Sequence, residues 1–365
     1  MRVVLASDRP AADLALPALE ARAIARRAAP PIVLGGVAAA AILLFGGPAR
    51  TFIDGMHRAL GVKPSWAVLA AGFECISLAG YVGLLSLVAG RATPRIGARE
   101  SAQITFAGAA ATRLLPTAGV GGLGVTLWAL RRAGLQRWVA TRTLMVFLVL
   151  LYSAFLVSMA LSGSLLATGV VRSRGPVELS ATMACVGLVA VALGLWLALR
   201  AQKGAQPGGA DRTRESDRGL RAAARLVGES VRDAGDLLRS RNRRLAGALA
   251  YWAFDAAVLW AMLHAFGASA ALPVVVLAYF AGQIANTLPI PGSVSGGMAG
   301  VLLLFGVPAE LAVPSVLAYR AVSVWLPAPL AIAAVPALRA TAAGWRRLGP
   351  VDQPAEYAQI DLSVG

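Results

Sequence analysis

The stretch Phe280 to Gly306, FAGQIANTLPIPGSVSGGMAGVLLLFG, is apolar enough to enter a bilayer, yet it cannot form an ordinary membrane span. Pro289, Pro291, Gly292, Gly296 and Gly297 interrupt it at its centre. Proline removes a backbone donor and clashes with the preceding turn, so no continuous helix passes through Pro289–Gly292. Unpaired backbone at membrane depth is tolerated only where protein buries it or a wet cavity meets it. The stretch therefore predicts two short helices meeting at a loop, a re-entrant hairpin or broken helix of the kind in which transporters hold substrate. A kinked core helix is the plainer alternative.

The stretch has an earlier copy. Phe106-Ala107-Gly108 opens FAGAAATRLLPTAGVGGLG as Phe280-Ala281-Gly282 opens the later segment. Without a gap, Ala111 falls on Ala285, Leu114 on Leu288, Val120 on Val294 and Gly122 on Gly296, with the central proline displaced by one residue. Pro116, Gly119, Gly121 and Gly122 break the first copy. An acid precedes each copy (Phe73-Glu74 and Phe254-Asp255), and an arginine follows each (Ala140-Thr141-Arg142 and Ala318-Tyr319-Arg320). An acid, a broken hairpin and an arginine recurring in the same order read as an internal duplication.

Of the 365 residues 58% are hydrophobic and 14% charged, against about 25% charged in soluble domains. With a mean hydropathy of +0.68 and recurrent apolar runs of about 20 residues, the chain reads as an all-α polytopic membrane protein. The net charge of +16 would suggest nucleic acid in a soluble protein. Here most of the arginines lie in loops between apolar runs, where they set topology and meet anionic headgroups, so no nucleic-acid partner is expected. Cys75 and Cys185 fall inside apolar runs, and two isolated histidines make no metal case, so neither disulfide, metal nor cofactor is expected. No Walker loop is present, and no cytosolic stretch is long enough for a catalytic domain. Residues 1–30 lack the early apolar core of a cleavable signal and are expected to stay as a cytosolic tail.

The expected spans are Ile32–Gly47, Trp66–Ala89, Trp138–Leu166, Leu179–Leu199, Leu245–Phe266 and Leu311–Leu338, with hairpins at 101–130 and 273–306. Basic residues flank 101–130 at both ends, which places both ends in the cytosol. Three crossings per half (31–166 and 179–338) turn the second half upside down relative to the first. The membrane domain then spans 31–340 as inverted repeats of six full spans and two re-entrant hairpins, with a cytosolic tail at 341–365 and both termini cytosolic. The insert 200–244 carries an apolar stripe, Leu220, Ala224, Val227, Val231, Ala234 and Leu238, at helical spacing. It reads either as a helix on the anionic leaflet or as a solvated connector packed on the membrane domain.

Charges inside a bilayer are costly and mark function by default. By helical rise, Glu74 lies roughly 12 Å from the outer end of its span, Asp255 roughly 15 Å from the inner end of its own, and Arg320 roughly 13 Å from outside. Arg113 sits beside the tip of the first hairpin. Arg142, one turn into its helix, can snorkel to headgroups and ranks behind them. One reading pairs these charges to lock helices together. The other has Arg113 and Arg320 hold a phosphate by forked hydrogen bonds while Glu74 and Asp255 orient them or carry protons. Asn286, Thr287, Ser293 and Ser295 at the second tip either face substrate or satisfy the broken backbone.

The segments RIGARESAQITFAGAAATRLLPTAGVGG, YWAFDAAVLW, NTLPIPGSVSGGMAG and AYRAVSVWLPAPLA resemble the lysylphosphatidylglycerol synthase transmembrane-region family in its free-standing actinobacterial form. The resemblance spans roughly residues 31–340 and implies an all-helical, flippase-like domain in the bacterial cell membrane. Such a domain moves lipids or lipid-linked headgroups between leaflets, with an anionic phospholipid or polyprenyl-phosphate-type lipid as partner. The short tail after the last span carries no aminoacyl-transferase, so no enzymatic activity is expected. A membrane-embedded lipid transferase and a scaffold for a cell-envelope enzyme are the alternative readings.

Overall fold

The computed structural model describes residues 64–114, 120–203, 215–287 and 292–347. The expected first span at 32–47 lies outside them. Eleven α-helices occur among the described residues. α1 is Pro64–Ala92, α2 Ala98–Leu114, α3 Val120–Arg132, α4 Arg137–Ala167, α5 Val177–Lys203 and α6 Glu215–Arg239. After a short 3-10 turn come α7 Ala246–Ala265, α8 Leu272–Ala285, α9 Ser293–Leu304, α10 Ala309–Trp325 and α11 Ala328–Arg347. Five stretches are long and apolar enough to cross a membrane: Pro64–Ala92, Arg137–Ala167, Val177–Arg200, Arg243–Ala265 and Ala309–Arg347. They match five of the six expected spans in position.

The last of these departs from a single span. Leu311–Leu338 was expected as one helix, whereas α10 ends at Trp325 and α11 starts at Ala328. Pro327 lacks the donor that would carry the ladder through, and its ring opposes the preceding turn. The two helices together exceed the thickness of a bilayer core, and the far part of α11 packs on α2, where Thr341 donates to Gln103 at 2.9 Å.

The two broken segments form helical hairpins. α2 and α3 pack on each other across residues 115–119, and α8 and α9 across 288–291. All four helices have 17 residues or fewer, short of the roughly 20 that a bilayer core requires. The guanidinium of Arg95, before α2, donates to the carbonyl of Ala133, after α3. The first hairpin therefore starts and ends at one face of the bundle. That face also carries Arg91, Arg99, Arg131 and Arg132 and is called the basic face below. The second hairpin starts and ends at the opposite face, where α4, α7 and α9 also end.

The equivalent helices of the two halves, α1 and α7, make the most extensive helix packing among the described residues, and they run antiparallel. Trp66 meets Trp260, Phe73 meets Phe254, Ser77 donates to the Tyr251 carbonyl and Gly80 lies on Gly247, so one index rises as the other falls. Glycine on both sides of the crossing lets the backbones touch, since without a hydrophobic drive between helices in lipid close packing supplies the attraction. α8 packs on α4 and α2 on α11, so each hairpin leans on the opposite half. Oppositely directed equivalent helices are what an inverted duplication requires.

Candidate functional site

Four elements converge on one cluster about 15 Å from the opposite face. Glu74 lies ten residues into α1, Asp255 ten before the end of α7 and Tyr319 ten into α10, which at helical rise is about 15 Å in each case. Tyr279 is seven residues into α8. Glu74 and Asp255 are only 3% and 8% exposed. A buried carboxylate needs donors, and the Tyr279 hydroxyl supplies one, donating to Asp255 Oδ2 at 2.7 Å. Tyr319 reaches the same carboxylate, and its hydroxyl lies within electrostatic range of Arg320 and Glu74 as well. The two tyrosine rings meet edge to face with centroids 6.3 Å apart. Arg320 is half-buried beside them.

The structure thus gathers Glu74, Asp255 and Arg320, which come from both halves, around Tyr319. Arg113 closes α2, but its side chain lies outside the described residues, as do Pro116, Gly119, Pro289 and Pro291. The sequence reading missed Tyr279 and Tyr319. Each carries a hydroxyl within an apolar run directly beside a motif residue, Phe280 or Arg320, and that was the available signal.

The polar residues at the second tip divide. Asn286 caps α8 and, like Thr287, is exposed; the Thr287 hydroxyl donates to the Ile284 carbonyl at 2.7 Å and so satisfies the broken helix end. Ser293 and Ser295 lie in the first turn of α9, both half-buried, behind Gly292 in the left-handed region (φ +83°). The left-handed turn turns the chain from the loop into α9, and glycine adopts it without steric cost.

The hairpins are each clamped at a glycine pair, and the pairs correct the gapless alignment. Gly108 faces Gly122 in the first, whereas Gly282 faces Gly297 in the second, and Gly296 has open space where a Cβ would be. Gly122 therefore corresponds to Gly297. The stretch between the paired glycines is one residue longer in the second hairpin, which is also why its prolines are displaced. In the first hairpin Thr112 adds a link: its hydroxyl donates to the Gly108 carbonyl at 3.0 Å and accepts from the Gly122 N–H at 2.9 Å. Gly121, with Gly122, lies in the first turn of α3.

Arg142 makes a structural pair. Its guanidinium makes a forked pair with Asp233 of α6, Nε to Oδ2 at 2.7 Å and Nη2 to Oδ1 at 2.8 Å. It anchors the insert, and α6 packs on α4 and α5. The same pair fixes the rotation of α6. Ser230, Ala234 and Leu237 are buried, while Leu238, assigned to the apolar stripe, is 55% exposed. Among the described residues no group of three His, Cys, Asp or Glu side chains is placed to hold a metal ion.

Two halves joined by antiparallel acid-bearing helices, each followed by a glycine-clamped hairpin, make a recognisable pattern. Residues 32–331 match the family described as the lysylphosphatidylglycerol synthase TM region. The chain belongs to that family. No curated protein matches it. The family match covers both hairpins and the whole central cluster, so the charged residues described above lie within the family's own region rather than in appended segments.

Proposed function

We propose that this member of the lysylphosphatidylglycerol synthase transmembrane-region family moves an anionic lipid, or the anionic headgroup of a lipid-linked carrier, between membrane leaflets. The observation that supports this is the gathering of Glu74, Asp255, Tyr279, Tyr319 and Arg320 at one depth, where the two halves meet beside the second hairpin. An ionic headgroup cannot cross the apolar core uncompensated, because burying an unpaired charge is prohibitive. A cationic fork held near mid-depth compensates it while the acyl or polyprenyl chains stay in lipid. The two hairpins act as re-entrant elements from opposite faces, and rocking of one half against the other alternates access. Asp255, held by two tyrosines, sets the geometry around Arg320; Glu74 balances charge or carries a proton. The protein acts as a transporter, not an enzyme, in the bacterial cell membrane, with the basic face, the insert and both termini in the cytosol.

The test is leaflet accessibility of a fluorescent phosphatidylglycerol or polyprenyl phosphate in proteoliposomes. Arg320→Ala should abolish movement, and Arg320→Lys should reduce it, since lysine keeps the charge and loses the planar fork. Diacylglycerol should not compete. If wild type moves neither lipid faster than empty liposomes, the transport reading fails and a scaffolding role takes its place. If Asp255→Asn loses activity only in proportion to lost folded protein, the cluster is a structural lock.

A further inference from the structure

We propose that the opposite face carries a second anion site, a cavity of about 360 Å³ that takes a phosphate-class group. Three connections build it: the α4–α5 loop, the α7–α8 loop and the α9–α10 loop. They are fitted together tightly. A Cβ on Gly175 would overlap the ring of Phe305, and the stem of Arg174 lies 3.9–4.0 Å from where a Cβ on Gly306 would stand. Gly267 and Gly306 end α7 and α9 in the left-handed region, at φ +81° and +83°, turning the chain back across the cavity floor.

Its chemistry is one-signed. Arg172 and Arg174 line it together with the hydroxyl-bearing Ser173 and Ser269. Among the described lining residues there is no carboxylate; Glu178 and Glu310, the nearest acids in sequence, do not line it. α8 and α10 both begin at its edge, at Leu272 and Ala309, and helix N-termini add partial positive charge. Two guanidinium groups, two hydroxyls and two helix starts around one cavity are suited to a phosphate monoester or diester. The volume is near the low end of small-molecule pockets, roughly 300–1,000 Å³. Its size suits a headgroup.

The cavity is also placed on a line to the centre. Tyr279 lies about 10 Å further along α8 and Arg320 about 16 Å along α10. On the transport reading, which this assignment deepens, the cavity receives the headgroup as it leaves or approaches the central cluster. Anion binding in the cavity stands or falls without that reading.

Ala270, which lines the cavity without a polar side chain, supplies the reporter. In protein carrying Cys75→Ser, Cys185→Ser and Ala270→Cys, purified in dodecyl maltoside, the rate of N-ethylmaleimide labelling is followed against inorganic phosphate, dihexanoyl phosphatidic acid and dihexanoylglycerol. Either phosphate-bearing probe should slow labelling about fivefold or more at saturation, and dihexanoylglycerol should not. Protection by both probes assigns the site to any phosphate-class anion; protection by the lipid alone assigns it to a headgroup in its lipid. Adding Arg172→Gln or Arg174→Gln should weaken the midpoint roughly tenfold, the scale of a lost charge-assisted hydrogen bond. Both side chains are exposed, so the variants should fold, as gel filtration will report. No protection by either phosphate probe, or unchanged midpoints in both arginine variants, overturns the proposal. So does a midpoint shift in Arg320→Gln as large as that in Arg172→Gln, which would place the anion at the centre. No transport is measured, so intact protection beside failed lipid movement rejects only the transport reading.

Discussion

The α1–α7 crossing should be sensitive to a single added methyl group. A Cβ on Gly80 would stand 2.8 Å from the Gly247 carbonyl oxygen and 3.1 Å from Ala250 Cβ. Ordinary contact begins at 3.4 Å, so Gly80→Ala must open the crossing by about 0.6 Å. Forcing a methyl into a packed contact costs about 1–3 kcal/mol, while alanine in place of a helical glycine returns about 1 kcal/mol. Gly83→Ala is the control, because it lies in the same helix and its Cβ would meet nothing within 4 Å. The two variants should therefore differ by about 1–3 kcal/mol, with Gly83→Ala the more stable. Gly247→Ala should be worse than Gly80→Ala, since its Cβ would overlap the Gly80 carbonyl. The double variant should cost less than the sum, because one opening relieves both clashes. Unfolding in mixed dodecyl maltoside and SDS, followed by tryptophan fluorescence, measures the differences. Gly80→Ala and Gly247→Ala as stable as Gly83→Ala would refute the claim that backbone contact at this crossing holds the halves together.

Three further outcomes are expected. The Arg142–Asp233 pair has side chains 17% and 29% exposed, between the surface and buried regimes, so a double-mutant cycle with Arg142→Gln and Asp233→Asn should give a coupling of about 1–3 kcal/mol. A coupling near zero would mean that packing alone holds α6. Thr112→Val should cost about 1–2 kcal/mol by stranding the Gly122 N–H, while Thr112→Ser should be near neutral; a loss in Thr112→Ser with none in Thr112→Val would implicate the methyl, which valine keeps, and not the hydrogen bond. In a background lacking Cys75 and Cys185, a cysteine at Ser173 should react with an impermeant thiol reagent in intact cells and one at Ala205 should not, and the reverse pattern would overturn the cytosolic placement of the basic face.

Much of the architecture was legible because it follows from local chemistry. Pro289 and Pro291 stop a helix whatever surrounds them, and continuous apolar runs of about 20 residues suit a spanning helix rather than the shorter alternating strands of a barrel. Glu74, Asp255 and Arg320 stood out because a charge in an apolar run is expensive wherever it is placed. The break at Pro327 was also visible, in Leu326-Pro327-Ala328-Pro329, but the expectation of one last span passed over it. The pairing of Arg142 was not legible, for a different reason. Its partner is 91 residues away, and depth alone cannot separate an arginine that snorkels from one that pairs.

Local chemistry therefore reveals what one residue or one turn controls: the helices and their interruptions. Which residues share a space emerges only from the packing of those helices. That packing put the Tyr279 hydroxyl on Asp255, paired Arg142 with Asp233, aligned Gly297 rather than Gly296 with Gly122, and brought Arg172 and Arg174 to one cavity. Each of these depends on the rotation and register of one helix against another, where a shift of one residue turns a side chain by about 100° and carries it away from its partner.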